Sequence, residues 1–169
     1  MRTLFFHTTF APQIFNLKLK MKKLIQTNEG SVSALVARFA IAIVIFPHGA
    51  QKLLGWFGGS GYADTMYFLT EMIGAPWILA FAVIVIEFFA PVLLIFGLGT
   101  RYAAAAIAIN FIGVLITSVD FSRFFMNWHA IEGQGEGLEF FVLLFGLLFI
   151  SLIVGGGKAS MDAFLQKRS

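Results

Sequence analysis

Residues 76–98 form an apolar run broken near its midpoint by one carboxylate, Glu87. At ~1.5 Å per helical residue, ~20 residues cross the ~30 Å hydrocarbon core of a bilayer. The run therefore reads as a membrane-spanning helix with Glu87 deep in the hydrocarbon. A carboxylate at that depth costs ~2.5–3.5 kcal/mol even on the lenient insertion scale. It has to face protein, pair with a cation or hold a proton. Whatever fold the chain adopts must supply that partner. Arg38, His48 and Lys52, all in the preceding apolar segment, are the candidates.

Three further apolar segments cover residues 33–54, 102–119 and 138–154. The runs are continuous rather than alternating, so they read as helices and not as barrel strands. Mean hydropathy is +0.86 and only 12% of residues are charged, well below the quarter or so usual in soluble domains. The expected fold class is all-α, an integral membrane four-helix bundle. Residues 97–100 leave so short a connection that the second and third helices should be antiparallel neighbours. The expected organisation is a basic amino-terminal arm over 1–30, disordered or interfacial, a four-helix domain over 31–162 and a short basic tail over 163–169. The arm carries no acid before Glu29 and lacks the long apolar stretch of a secretory signal. Met21-Lys22-Lys23 also allows it to be an upstream extension.

Orientation follows from the placement of Lys and Arg. Arg2, Lys18, Lys20, Lys22 and Lys23 precede the first span, Arg101 joins the second to the third, and Lys158, Lys167 and Arg168 follow the fourth. With four crossings these share one side, and Lys52 and Arg123 take the other. Both termini are therefore expected in the cytoplasm. Trp56, Trp77 and Trp128 then fall at the outer boundary, where indole prefers to sit. The long outer loops, 55–75 and 120–137, carry Asp64, Glu71, Asp120, Arg123, His129, Glu132 and Glu136. Within them 64–72 and 122–129 are expected as short interfacial helices, and a site is expected to open outward. The net charge of +3 comes from cations at the chain ends, which does not point to nucleic acid.

His48 and Lys52 are four residues apart and share a helix face. Arg38 returns to within ~40° of that face, and Pro47 should loosen the helix beside it. Glu87 is the natural counter-charge, at a depth between Arg38 and His48. Asn110, mid-span in the third segment, is placed to hydrogen-bond to the same cluster. Glu139 lies at the outer depth of His48 and Lys52, and His129 is an outer-loop residue. In a purely structural role Arg38 and Lys52 snorkel to the headgroups, Glu87 locks two helices and Asn110 is a packing contact. In a functional role Glu87 and His48 relay protons, since ionisable groups inside a membrane usually serve function. No metal is expected: two histidines on one side with scattered carboxylates lack a ligand spacing. The chain has no cysteine, so disulfides and cysteine-held clusters are excluded within it, and no intrinsic cofactor motif is visible. Gly133, Gly135 and Gly137 do not open a helix after a strand, so a nucleotide loop is excluded too.

Several ordered strings carry a family resemblance. Arg38 precedes His48-Gly49-x-x-Lys52-Leu53-x-Gly55. Then come Glu87-Phe-Phe-Ala-Pro-Val-Leu-Leu-Ile-Phe-Gly97-Leu-Gly-Thr-Arg101, Trp128, Gly135-x-Gly137-x-Glu139 and Gly155-Gly156-Gly157-x-x-Ser160-x-Asp162. Over residues 34–162 the chain resembles the DoxX family of small membrane proteins. The resemblance implies a four-helix protein of the bacterial inner membrane with a link to redox chemistry. Some relatives are membrane subunits of thiosulfate:quinone oxidoreductase, and others are tied to oxidative-stress membrane complexes. The expected function is a subunit of a membrane redox complex. Its polar intramembrane pocket, drawn from Arg38, His48, Lys52, Glu87, Asn110, His129 and Glu139, would take a quinone head group or a small anion. Electrons would come from a soluble or membrane redox partner, and a homo-oligomer is the other assembly considered. The alternatives are a non-enzymatic scaffold or assembly subunit and a small proton-coupled transporter.

Overall fold

The computed structural model describes residues 26–119, 121–129 and 137–168. The basic arm over 1–25, the loop residues Asp120, Glu132 and Glu136, and Gly133 and Gly135 lie outside them. Among the described residues the chain forms six α-helices: α1 (Val32–Leu54), α2 (Gly61–Tyr67), α3 (Trp77–Phe96), α4 (Thr100–Ser118), α5 (Glu139–Val154) and α6 (Met161–Arg168). Three of them, α1, α3 and α4, are long and apolar enough to span a membrane, and α5 is a shorter apolar helix. Their bounds lie within two residues of the four segments expected from hydropathy.

The four apolar helices pack as a ring in which α1 touches α3 and α5, and α4 touches the same two. Each turns a narrow stripe inward. On α1 the stripe is Ala34, Ala37, Arg38, Ile41, Ala42, Ile45 and Gly49; on α3 it is Ala80, Ile84, Glu87, Ala90, Pro91 and Leu94. These positions recur at the helical period, and nearly half are Ala or Gly, which lets backbones approach closely. Many bulky apolar residues, such as Ile43, Phe89, Ile109 and Phe149, point outward. That inverted distribution is what a lipid solvent selects.

The ends of α1 are set by sequence. The Ser31 hydroxyl accepts from Ala34 N at 3.2 Å and caps its start. Gly55, at φ 71°, ends it in the left-handed conformation that glycine tolerates. Between them α1 runs on through Pro47. The closest approach of α1 and α3 is at Gly49, where a Cβ would overlap the carbonyl group of Glu87 and the amide of Phe88. Pro91, one turn after Glu87 in α3, has no N–H to bond that carbonyl.

Three local expectations are revised. The interfacial helix expected over 64–72 starts earlier, as α2, and continues into a wide π-turn at Phe68–Met72. Residues 122–129 are turns, not a helix. The backbone N–H groups of Leu138 and Glu139 donate to the carbonyls of Arg123 and Phe124, at 3.2 and 2.8 Å, and draw that loop onto the head of α5. The basic tail expected after residue 162 is the body of α6. Its side chain Asp162 accepts from the N–H groups of Gly99 and Thr100 at 2.7 and 2.9 Å, satisfying the first donors of α4. Gln26–Gly30 are also tied down: Asn28 N donates to Val154 O at 3.1 Å, and Thr27 exchanges bonds with Gln166.

The Gly49 contact predicts a sharp contrast. Gly49→Ala should destabilise the protein by about 1–3 kcal/mol because α1 has to withdraw from α3. Gly146→Ala, where a Cβ meets nothing within 4 Å, should be neutral or slightly stabilising. Thermal unfolding of the two variants in detergent measures the difference.

Candidate functional site

Glu87 is almost wholly buried, and both its oxygens are taken. Lys52 Nζ donates to Oε2 at 2.6 Å, and Asn110 Nδ2 donates to Oε1 at 3.0 Å. One carboxylate therefore joins α1, α3 and α4. The Lys52 side chain retains 29% exposure against 2% for Glu87, so the cation end of the pair faces open space and the anion end faces protein. Such a pair gains from charge and hydrogen bonding together, and breaking it leaves a charge in an apolar interior.

Beside the pair is a cavity of roughly 250 Å³ lined by His48, Lys52, Glu87, Phe111, Val114, Met126, Phe140 and Phe141. Its polar groups sit on α1 and α3, and its apolar wall comes from α4, α5 and the loop before α5. The ring of Phe111 packs at 6.0 and 6.4 Å from those of Phe140 and Phe141. His48, on the same face of α1 as Lys52, reaches the cavity and lies in the field of both charges. Met126 is held at the wall by Glu139, whose carboxylate accepts from Met126 N at 3.3 Å. Gly137 leaves room for the carbonyls of Phe124 and Phe125 there.

The residues singled out in the sequence thus separate. Glu87, Lys52, Asn110 and His48 come together. Glu139 braces the loop at the cavity's edge instead of pointing a carboxylate at the pair. His129 is exposed and outside the lining. Arg38 requires a correction. Expected within reach of Glu87, it lies about three turns, roughly 16 Å, along α1 from Gly49, which marks the level of Glu87. Its guanidinium donates to four carbonyls: Leu94 and Ile95 at 3.0 and 2.7 Å, and Lys158 and Ala159 at 3.0 and 2.7 Å. The cause is the antiparallel run of α1 and α3. It brings Arg38 to the last turn of α3, where carbonyls have acceptor capacity to spare and the helix dipole is negative. Arg38 is a fully buried structural clamp at the end away from the cavity.

The aromatic wall had no distinctive signal in the sequence. Phe111, Phe140 and Phe141 are three of 21 phenylalanines, and only packing separates them from those facing lipid. Among the described residues no three His, Cys, Asp or Glu side chains converge to hold a metal ion.

The family model for DoxX matches residues 33–120, more than half of the chain. Over 86 residues the chain is 34% identical to a protein of Bacillus subtilis (strain 168) named "Putative oxidoreductase CatD", a stretch that covers 51% of this chain and 59% of that protein. The match therefore spans less than two thirds of the relative's length. No solved structure matches the chain.

The pair predicts a coupled response. Lys52→Met and Glu87→Gln should each destabilise the protein, since each strips one member of a buried pair. The double variant should cost less than the two single changes summed, by a coupling of about 0.5–3 kcal/mol. A double-mutant cycle of unfolding free energies reads this directly, and strict additivity would mean the pair holds no helices together.

Proposed function

The chain belongs to the DoxX family of membrane proteins, and from that premise we propose that it is a subunit of a membrane oxidoreductase complex whose cavity receives a quinone head group. The observation that carries the reading is the cavity itself: a wall of three phenylalanines faces His48 and an ion pair. A flat conjugated ring stacks on such a wall, and its carbonyl oxygens accept from the ammonium of Lys52 and from His48. The size supports a head group without its tail, near the lower end of ordinary ligand pockets at ~300 Å³. The charge state also discriminates. Lys52 and Glu87 together are neutral, so a small anion would find its cation already compensated, and a neutral carbonyl ring suits the site better. The name of the Bacillus subtilis relative points to the same class of chemistry.

In this reading a partner protein supplies electrons, and His48 and Lys52 supply protons from the outer side. Glu87 holds Lys52 in place and Asn110 holds Glu87. The chain crosses the bacterial inner membrane four times with both termini in the cytoplasm, as the distribution of Lys and Arg favours. Transport through the bundle is disfavoured, because beyond the cavity the fully buried Arg38 ties α1 to the end of α3 and to the segment before α6. One observation favours a second reading, a non-enzymatic scaffold: the Lys52–Glu87–Asn110 contact joins three helices and would be useful with no ligand at all.

A single binding experiment separates the two. The purified protein should carry extractable quinone, and a short-tailed quinone should raise its melting temperature. His48→Leu, which removes a donor outside the three-helix contact, should weaken that effect about tenfold or more while leaving the ligand-free melting temperature near wild type. A quinone that neither copurifies nor stabilises the protein would leave only the scaffold.

A further inference from the structure

Helix α6 has two unlike faces. Asp162, Ala163 and Gln166 dock on the bundle: Ala163 is buried, Asp162 caps α4, and Gln166 bonds to Thr27. On the opposite side Met161, Phe164 and Leu165 lie within an arc of about 100° at helical spacing, and are 44%, 51% and 50% exposed. Arg168 belongs to the same arc, with its guanidinium 4.3 Å from the centre of the Phe164 ring. An exposed apolar arc edged by a cation is how a helix presents itself to a bilayer surface.

Two further observations say what covers that face. The first is its level in the fold. Asp162 is bonded to the α3–α4 turn, so α6 sits where two apolar helices end. Their outward residues there, Phe96 and Tyr102, are exposed as well, and the apolar arc of α6 continues a surface that lipid already covers. The second is charge. The described residues at this end hold the cations Arg38, Arg101, Lys158, Lys167 and Arg168 against the acids Glu29 and Asp162. Arg38 is buried, Glu29 pairs with Lys167 at 3.1 Å, and Asp162 is spent on the backbone of α4. Lys158 and Arg168 are exposed. The opposite end carries Asp64, Glu71 and Glu139 with Arg123, and its Lys52 is paired with Glu87, so the molecule is polarised along its axis.

We propose that α6 is a surface anchor that lies in the headgroup layer and binds the anionic phospholipids of the leaflet at its end of the bundle. Met161, Phe164 and Leu165 enter the acyl boundary, and Lys158 and Arg168 meet lipid phosphates. The anchor fixes the depth of the α3–α4 turn, and with it the register of the bundle in the membrane. It does not depend on what the cavity at the other end binds.

The absence of cysteine allows Leu165→Cys to carry a single environment-sensitive fluorophore on the full-length protein in nanodiscs. Three conditions are compared: phosphatidylcholine alone, phosphatidylcholine with a third as much phosphatidylglycerol, and phosphatidylcholine with soluble glycerol phosphate. A quencher on the lipid acyl chain should reach the label and aqueous iodide should not. Phosphatidylglycerol should raise lipid quenching about twofold or more, and soluble glycerol phosphate should not. Adding Lys158→Gln and Arg168→Gln should abolish the phosphatidylglycerol effect while circular dichroism stays unchanged. Free access of iodide to the label would overturn the proposal. So would shielding from both quenchers, which marks a protein partner or second copy, or an anionic-lipid effect that survives the charge changes.

Discussion

The buried carboxylate of Glu87 needs a polar partner for each oxygen, and the meeting of three helices supplies them. One oxygen holds Lys52 on α1 and the other holds Asn110 on α4. The Lys52 contact would not form if α1 stood further from α3, and Gly49 is what lets α1 approach. The missing N–H of Pro91 leaves the Glu87 carbonyl free of its helical bond at the same level. A glycine, a proline and three polar side chains thus form one unit, in which backbone proximity and charge neutralisation require each other.

The other end of the bundle answers a different requirement with related chemistry. Helix ends in an apolar medium leave carbonyls and N–H groups without partners. Arg38 takes carbonyls from the end of α3 and from the segment before α6, Arg101 takes those of Gln26 and Ile153, and Asp162 takes the N–H groups that begin α4. Gly97 and Gly157 lie where a Cβ would strike Ser160 and Ala34, so the turns can nest around these clamps. Among the described residues this end is a knot of backbone groups tied together by side chains.

The strings that mark the chain as a DoxX-family protein therefore divide by role. Arg38, Gly97, Arg101, the glycines at 155–157, Ser160 and Asp162 build the knot. His48, Gly49, Lys52, Glu87, Gly137 and Glu139 build the cavity or brace it. In the second group an exposed imidazole, a partly exposed ammonium and an aromatic wall face the same space.

The sequence by itself determined that the chain is helical, that it lives in lipid, and where each apolar helix begins and ends. Hydrophobic length, capping residues and glycine punctuation are local properties, readable along one dimension. It also named Glu87 as the residue in need of partners and supplied the correct list to choose from. Only the tertiary structure decided among them. Arg38 and Lys52 both lie on the inward side of α1, and helical periodicity does not rank them. The antiparallel register of α1 against α3 does, because it sets Arg38 beside the last carbonyls of α3 and Lys52 beside Glu87. The aromatic wall was hidden for the same reason. A phenylalanine facing lipid and one facing a cavity are alike in sequence, and only the packing of α4 against α5 tells them apart.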